Sequence, residues 1–193
     1  MHETMNSFEN DIINSLKTLH NGGIILYPTD TIWGIGCDAT NADAVKKIFT
    51  LKNREEKKSM IILVSDENMI RQYVSDHSPK MISYILSAQK PTTAIFKKAI
   101  HLPLQLVNED GSIAIRIPKD EFCLQLIKQF QKPLVSTSAN ISGEKFPQNF
   151  DEVSTEIKNG VDYTVQHRQN DYSKNTPSSI IKLDDNNEIV VIR

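Results

Sequence analysis

Short apolar runs, separated by stretches with helical periodicity, most strongly limit what this chain can fold into. Residues 24–27 (IILY) and 60–64 (MIILV) are apolar at every position, which is typical of strands covered on both faces of a sheet. Between residues 8 and 19, apolar side chains recur every three or four positions, and a glycine pair then ends the helix that they predict. The alternation of such helices and buried strands predicts a mixed α/β domain.

The start residues of further helices can be identified from their side chains. Thr40 and Asp43 resemble a capping box at the start of one helix. Asp66, and Ser78 followed by Pro79, are typical of the first residues of two more helices. The apolar spacing predicts another helix over residues 122–130.

Later strands are predicted at residues 92–96, 112–117, 133–136, 178–183 and 188–192. In the strand at 112–117, isoleucines occupy alternate positions, so they share one face and Arg116 points to the other. Such an arginine ordinarily forms a surface salt bridge. Because Arg116 lies on the face opposite the isoleucines, that interpretation is weaker here than a role in binding.

The size and charge of the chain limit its possible functions. Its 193 residues suit one domain that can bury most of its apolar surface. With 22 basic and 24 acidic residues the net charge is −2, so no overall positive field attracts nucleic acid, and RNA contact requires a local patch. The five histidines lack the spacing of metal ligands, and we expect no protein-built metal site.

The cysteines and the apolar runs predict a cytoplasmic location. Cys37 and Cys123 are interpreted as buried thiols in a reducing compartment, because two cysteines without CxxC spacing make no disulfide framework. No apolar run approaches the roughly 18 residues that cross a bilayer, and the first residues do not resemble a signal peptide. We expect no association with a membrane.

Three polar segments stand out against this background. They are residues 27–36 (YPTDTIWGIG), 52–54 (KNR) and 136–143 (STSANISG). A glycine-containing turn, two separated cations and a run of small hydroxyl and amide side chains together can hold a phosphorylated ligand without a covalent intermediate. Taken singly, each has an ordinary alternative: a β-turn, a solvated helix end and a Ser/Asn turn.

In this order the three segments resemble the Sua5/YrdC/YciO family. The resemblance covers roughly residues 8–193, which we expect to form a single YrdC-like domain with a twisted open mixed sheet, flanking helices and a concave basic cavity. It implies a nucleotidyltransferase that makes threonylcarbamoyl-AMP and pyrophosphate from L-threonine, bicarbonate or CO₂, and ATP, with Mg²⁺ carried by the substrate. The product would pass to a threonylcarbamoyl transferase complex that modifies adenosine 37 of tRNA.

The resemblance also implies roles for particular residues. Lys52 and Arg54 match the family's catalytic cations, which stabilise the departing pyrophosphate. Thr31, Arg116 and Ser138 match positions that bind L-threonine. The positions that match nucleotide contacts are Arg54, Lys58, Ser112, Asn140, Gln148 and Ser178.

Several positions depart from the family pattern and keep a second hypothesis open. Pro91 lies where a PGP-like turn is common, Glu55 replaces a usual proline, and Trp33 replaces a commoner tyrosine. The second hypothesis is a translation-associated paralogue, similar to YciO, that binds tRNA or double-stranded RNA without synthesis or acts on another amine. The charge balance argues mildly against RNA binding, which favours a wider basic face.

Overall fold

The computed structural model describes residues 8–55, 60–173 and 175–193. Helix α1 (Glu9–His20) leads into strands β1 (Ile25–Tyr27) and β2 (Gly34–Gly36), and helix α2 (Ala42–Leu51) follows them. The remaining elements are β3 (Ile61–Leu63), α3 (Glu67–Tyr73), β4 (Val74–Asp76), α4 (Pro79–Ser87), β5 (Thr92–Ala99), β6 (Ile113–Arg116), α5 (Glu121–Phe130), β7 (Leu134–Ser138), α6 (Thr155–Gly160), β8 (Tyr163–Thr164), β9 (Ser179–Leu183) and β10 (Ile189–Val191).

The strands form one open sheet of mixed direction. Its order is β10-β9-β5-β6-β3-β7-β2-β1-β8, and β4 pairs with β5 outside this path. The pairs β3–β6, β5–β9 and β1–β8 are parallel, whereas the others are antiparallel. This arrangement confirms the predicted mixed α/β fold with an open sheet.

The register of strand β3 brings together residues from distant parts of the chain. Its first residue, Ile61, pairs with Ser136 of β7, and its last, Leu63, pairs with Arg116 of β6. Because a strand rises about 3.3 Å per residue, Ser136 and Arg116 are offset by only about 7 Å along the strand direction. On the other side of β7, Ser138 pairs with Gly34. The polar segments therefore meet around β7.

The apolar runs form the centre of the core, as predicted. Ile25, Leu26 and Tyr27 of β1 are fully buried, and so are Ile62 and Leu63 of β3. Burial of consecutive positions requires cover on both faces of the sheet, and α1 and α5 pack against each other on one of them.

The helix starts agree with the sequence in two cases and differ in a third. Ser78 caps α4 by accepting the backbone N–H of Met81, and Asp66 caps α3 in the same way. The predicted capping box at Thr40 and Asp43 is wrong, because Asn41 caps α2 and Thr40 Oγ1 instead donates to Asp38 Oδ1 at 2.6 Å. An amide oxygen one residue later thus satisfies the first N–H groups of α2.

Among the described residues, five elements were not predicted from the sequence: β2, β4, α6, β8 and a 3₁₀ turn at Leu104–Leu106. Two of the three residues of β2 are glycines, which have low strand propensity, and β2 exists because β1 and β7 pair with it on both sides. Among the residues that the structure describes, no helix combines the length and the apolar character required to cross a membrane.

Candidate active site

A cavity of about 350 Å³ opens beside the ends of β1, β6 and β7. Its polar wall carries three guanidinium groups and several hydroxyls, and the lining residues in the described part of the chain include no carboxylate. These polar side chains are Arg54, Arg116, Arg193, Thr29, Thr31, Ser136, Thr137, Ser138 and Ser178. The composition suits an anionic ligand with hydrogen-bonding groups. It also agrees with the concave basic cavity expected from the sequence.

A second, wider depression of about 570 Å³ lies between α2 and the end of α6. Its wall contains Asp43, Lys46, Lys47 and Asp162 but none of the predicted site residues. Acidic and basic groups are balanced there, so this depression has no preference for a phosphorylated ligand. The smaller cavity is therefore the candidate site.

Arg116 is buried at one side of the cavity, with 2% of its surface exposed. Its Nη1 donates to Thr31 Oγ1 at 3.0 Å and lies 3.2 Å from Asp30 Oδ1, a contact that is electrostatic because it lacks hydrogen-bond alignment. Its Nε has no hydrogen-bond partner among the described residues. A buried N–H without an acceptor is costly, so the described residues leave part of the hydrogen-bonding capacity of Arg116 unused.

Thr31 is held in the loop after β1 by its own neighbours. Thr29 Oγ1 accepts the backbone N–H of Thr31 at 3.0 Å, lies 2.9 Å from Thr31 Oγ1 and donates to the carbonyl of Ile32 at 2.8 Å. Asp30 Oδ2 accepts the backbone N–H of Lys119 at 3.0 Å, which ties the loop to the segment after β6. The hydroxyl of Thr31 is thus fixed beside Arg116.

Lys52 lies at the end of α2 and is buried, with 1% of its surface exposed. Its Nζ donates to the backbone carbonyls of Ser138 and Asn140, the latter at 2.5 Å, and its own carbonyl accepts the N–H of Ser142 at 2.8 Å. These contacts hold the loop after β7 against α2. Burial, and then the charge of Arg54, lower the pKa of Lys52 to about 8.

Arg54 reaches the cavity because the chain turns sharply after α2. Asn53 adopts a left-handed conformation with φ of 48°, which asparagine tolerates better than most residues, and the next N–H, from Arg54, returns to the carbonyl of Phe49 at 3.0 Å. The guanidinium is half-buried in the cavity wall, and burial lowers its pKa.

The structure therefore brings together five of the predicted site residues in one cavity. They are Thr31, Arg54, Arg116, Ser138 and Ser178. Lys52 lies immediately behind them, joined to the backbone of Ser138. The hydroxyl of Ser178 is 2.8 Å from that of Thr93, so strand β5 also supports this wall.

The other predicted residues lie elsewhere. Asn140 is not among the described residues that line the cavity. Its amide N–H groups donate to the carbonyls of Ile141 and Glu144 at 3.0 and 2.8 Å, and its buried Oδ1 has no partner among the described residues. Ser112 is buried in the turn before β6, where its hydroxyl accepts from Asn108 at 2.9 Å.

Gln148 and Lys58 complete the predicted set. Gln148 borders a separate small pocket beside Trp33. Lys58 lies outside the described residues. The roles of all the predicted site residues, inside and outside the cavity, stay predictions.

Sequence reasoning missed several polar groups in or beside the cavity wall. Ser136 and Thr137 of β7 line the wall together with Ser138, although the STSANISG segment indicated a role only for the last of the three. Arg193 enters the wall through the β9–β10 pairing, and its guanidinium donates to the carbonyl of Ser178 at 3.2 Å. No local sequence signal marks this arginine. Asp30 lies 3.2 Å from Arg116, but its local sequence indicates only an ordinary turn residue, so this interaction was not predicted.

The described residues contain no group of three or more His, Cys, Asp or Glu side chains arranged to bind a metal ion. The positive charge at the cavity wall comes from arginines.

The sequence matches a known protein family over most of its length. The family described as Sua5_yciO_yrdC, telomere recombination, matches residues 17–193. A putative threonylcarbamoyl-AMP synthase of Methanocaldococcus jannaschii is 40% identical over 179 residues, covering 92% of this chain and 82% of that protein. A threonylcarbamoyl-AMP synthase of Pseudoalteromonas translucida is 30% identical over 179 residues, covering 91% and 94% respectively.

Solved structures share the fold. P. abyssi Sua5, complexed with L-threonine, superposes with a TM-score of 0.85 at 23% identity, covering 99% of this chain and 55% of that one. E. coli YciO superposes with a TM-score of 0.80 at 22% identity, covering 97% and 90%. The chain thus spans just over half the length of the P. abyssi protein, and at these identities the likeness concerns the fold.

Proposed function

The chain belongs to the Sua5/YciO/YrdC family, and from this premise we propose that it is an L-threonylcarbamoyladenylate synthase. The proposed reaction converts L-threonine, bicarbonate and ATP into threonylcarbamoyl-AMP, pyrophosphate and water, with bicarbonate supplying CO₂. One observation carries the proposal: the buried guanidinium of Arg116 and the guanidinium of Arg54 line the same cavity. A single hollow thus offers one site for a carboxylate and another for phosphate.

The amino-acid end of the ligand is assigned to Arg116, Thr31 and Ser138. A guanidinium already fixed on one side by Thr31 is preorganised for a carboxylate, because its remaining N–H groups have a set direction. The hydroxyls of Thr31 and Ser138 line the same wall and are suited to the side chain or carbamate of threonine. P. abyssi Sua5, which shares the fold, has been solved with L-threonine.

The phosphate end is assigned to Arg54, with Arg193 as a second cation in the wall. Charge-assisted hydrogen bonds from guanidinium groups are suited to phosphate oxygens. The proposal retains Lys58, Ser112, Asn140, Gln148 and Ser178 as nucleotide contacts. Mg²⁺ enters with ATP as part of the substrate rather than in a site built by the protein.

Lys52 is retained as a catalytic cation. An ammonium has three N–H donors, and the described residues occupy two of them through the carbonyls of Ser138 and Asn140. The third is left for a phosphate oxygen of the bound nucleotide. With Arg54, Lys52 would neutralise the charge that develops on the departing pyrophosphate.

The proposed chemistry requires no nucleophile from the protein. The amine of threonine combines with CO₂ to form a carbamate and releases a proton. A carbamate oxygen then attacks the α-phosphorus of ATP, and the bond to the pyrophosphate oxygen breaks. The protein contributes orientation of the two substrates and neutralisation of charge. The product would then serve a threonylcarbamoyl transferase complex that acts on tRNA in the cytoplasm.

Pyrophosphate release tests the proposal. With ATP, Mg²⁺ and bicarbonate present, release should depend on L-threonine and not on other amino acids in a panel. Arg54→Ala should lower nucleotide affinity or turnover about tenfold to a hundredfold, the range expected for a charge-assisted hydrogen bond.

Arg71→Ala is the matched control, since Arg71 lies exposed on α3 and outside the cavity wall. If pyrophosphate release depends on another amine instead of threonine, that amine is the substrate. Salt-sensitive binding of double-stranded RNA without any release would overturn it in favour of an RNA-binding paralogue.

A further inference from the structure

Arg168 lies just behind the candidate site in an uncommon backbone conformation. Its φ is 64°, in the left-handed region that side chains other than glycine, asparagine and aspartate seldom adopt. Such a conformation persists where the surrounding contacts hold it in place. Asp11 of α1 provides part of that hold, because its carboxylate accepts the backbone N–H groups of Gln166 and His167 at 3.0 and 2.8 Å.

The guanidinium of Arg168 joins three segments of the chain. Nη1 donates to the carbonyl of Thr29 at 3.2 Å and to Asp120 Oδ2 at 3.0 Å. Nε and Nη2 contact Asp171 Oδ2 at 3.0 and 2.9 Å. Asp120 is the N-cap of α5, where it accepts the N–H of Cys123 at 2.9 Å, so one anchor of Arg168 belongs to a well-packed helix.

The contact with Thr29 leads directly to the cavity. Thr29 is hydrogen bonded to Thr31 through its hydroxyl, and Thr31 accepts from Arg116. Arg168 does not belong to the cavity wall, but it borders the small neighbouring pocket, which shares Thr29 and Thr31 with the cavity. Among the described residues, its hydrogen bond to the cavity wall is the one with the backbone carbonyl of Thr29.

We infer that Arg168 is a positioning residue for the amino-acid substrate: it fixes the carbonyl of Thr29 and so holds Thr31 beside Arg116. This inference rests on the proposed function, which assigns Thr31 and Arg116 to threonine. Arg54 and Lys52 belong to other segments, and among the described residues Arg168 bonds to Thr29, Asp120 and Asp171 but not to Gln148, the nucleotide candidate in the same small pocket. Arg168 should therefore affect threonine recognition and leave ATP recognition largely unchanged.

Arg168→Gly tests the inference, because glycine adopts the left-handed conformation without strain and only the guanidinium is lost. The KM for threonine should rise about tenfold, the scale of one charge-assisted hydrogen bond, while the KM for ATP changes less than about twofold. Arg168→Lys should recover only part of the loss, since an ammonium lacks the planar fork that reaches three acceptors.

Lys98→Gly is the matched control. Lys98 also has a left-handed backbone, with φ of 55°, and it forms an exposed ion pair with Asp76 at 3.5 Å. This variant removes the same kind of strain and one cation at a position outside the cavity wall. Neither KM should change.

Hydrogen–deuterium exchange provides a second readout that does not depend on activity. The backbone amides of residues 29–32 should exchange faster in Arg168→Gly than in the parent protein and in Lys98→Gly. If thermal melting shows that Arg168→Gly does not fold, the two KM values and the hydrogen–deuterium exchange are measured for Arg168→Gln instead.

The outcomes separate the inference from the proposed function. If the parent protein shows no threonine-dependent release, the proposed function fails, and unchanged exchange at residues 29–32 would independently overturn the role of Arg168. If release depends on threonine but the variant shifts both KM values equally, or neither, the inference is wrong.

Discussion

The hydroxyl of Thr31 accepts a 3.0 Å hydrogen bond from the guanidinium of Arg116, which lies 85 positions further along the chain. This bond joins the loop after β1 to the end of β6 and defines one side of the cavity. Arg116 also lies beside the carboxylate of Asp30, and only 9% of the Asp30 side chain is exposed. Substitutions at this wall should therefore change ligand binding and stability together.

Replacing Arg116 by methionine should affect both binding and stability. The threonine KM should rise at least tenfold if Arg116 binds the carboxylate, and the buried Asp30 would lose its countercharge, at a cost of about 3–5 kcal/mol in the free energy of unfolding. Urea denaturation and threonine-dependent pyrophosphate release measure the two effects. Asp30→Asn added to Arg116→Met should recover part of the stability but not the KM. Equal stability of the single and double variants would contradict the pairing.

The affinity for ATP should depend on the charge of Lys52. Its pKa of about 8 means that the free protein loses this positive charge as the pH rises through that value. ATP binding, measured by calorimetry without threonine, should therefore weaken between about pH 7 and 9.5. Lys52→Met should bind more weakly at every pH and show no change over this range. A parent profile that stays flat would remove Lys52 from the phosphate site.

The same titration has an opposite effect on stability. Lys52 releases its proton at about pH 8 in the folded protein and at its ordinary value of 10.5 when unfolded. At Lys52 the unfolded chain binds more protons between these values, so the contribution of this residue to the free energy of unfolding increases with pH. Burial raises the pKa values of Cys37 and Cys123, and their contribution decreases with pH. Urea denaturation between about pH 7.5 and 10 should therefore show the Lys52 effect as a difference, with the parent protein gaining stability relative to Lys52→Met, and a constant difference would contradict the prediction.

Two glycines of β2 should respond differently to alanine. At Gly36 the new methyl would lie 2.5 Å from the carbonyl oxygen of Val135 and 2.7 Å from the ring of Tyr27, so Gly36→Ala should cost about 1–3 kcal/mol or more. At Gly34 the nearest atom, the carbonyl oxygen of Thr137, is 3.4 Å away, and Gly34→Ala should fold normally. Since Gly34 lines the cavity, this variant should instead raise a substrate KM. Similar melting temperatures for both variants would contradict the close approach of β7 and Tyr27 to Gly36.

Gln131→Gly should stabilise the protein slightly. Gln131 ends α5 with φ of 58°, and its side chain is exposed. Glycine relieves the left-handed strain at this position, for a net gain of up to about 1 kcal/mol. Gln125→Gly, inside the same helix, is the control and should destabilise by about 1 kcal/mol. Thermal and urea denaturation of the pair measure the contrast, and a loss of stability in Gln131→Gly would contradict the prediction.

The parts of the fold that follow from local rules could be predicted from the sequence. The run at residues 24–27 indicated a doubly covered strand, and Ile25–Tyr27 is that strand. Ser78 and Pro79 indicated a helix start, which the structure has at the same place. In contrast, β2 depends on its two neighbours rather than on its glycine-rich composition. The amide side chain of Asn41 could replace Thr40 as cap because both residue types favour that position.

The candidate site was likewise only partly predictable from the sequence. The three polar segments were recognised from their residue types, and the sheet register brings them together around β7. Two contacts had no counterpart in the sequence. The ammonium of Lys52 is bound to backbone carbonyls rather than exposed, and Arg193 enters through a pairing between the last two strands. Both depend on long-range geometry, which residue spacing does not encode.

The position of β7 has a consequence for how the protein matures during translation. Its residues 134–138 supply the pairing for both β2 and β3, which are synthesised much earlier. On a ribosome these two early strands have no common neighbour until that late segment has left the exit tunnel, and closing such long loops is slow. The hollow for the ligand therefore forms only after residues 134–138 have been synthesised, so nascent chains that stop before residue 134 should be unable to retain a nucleotide.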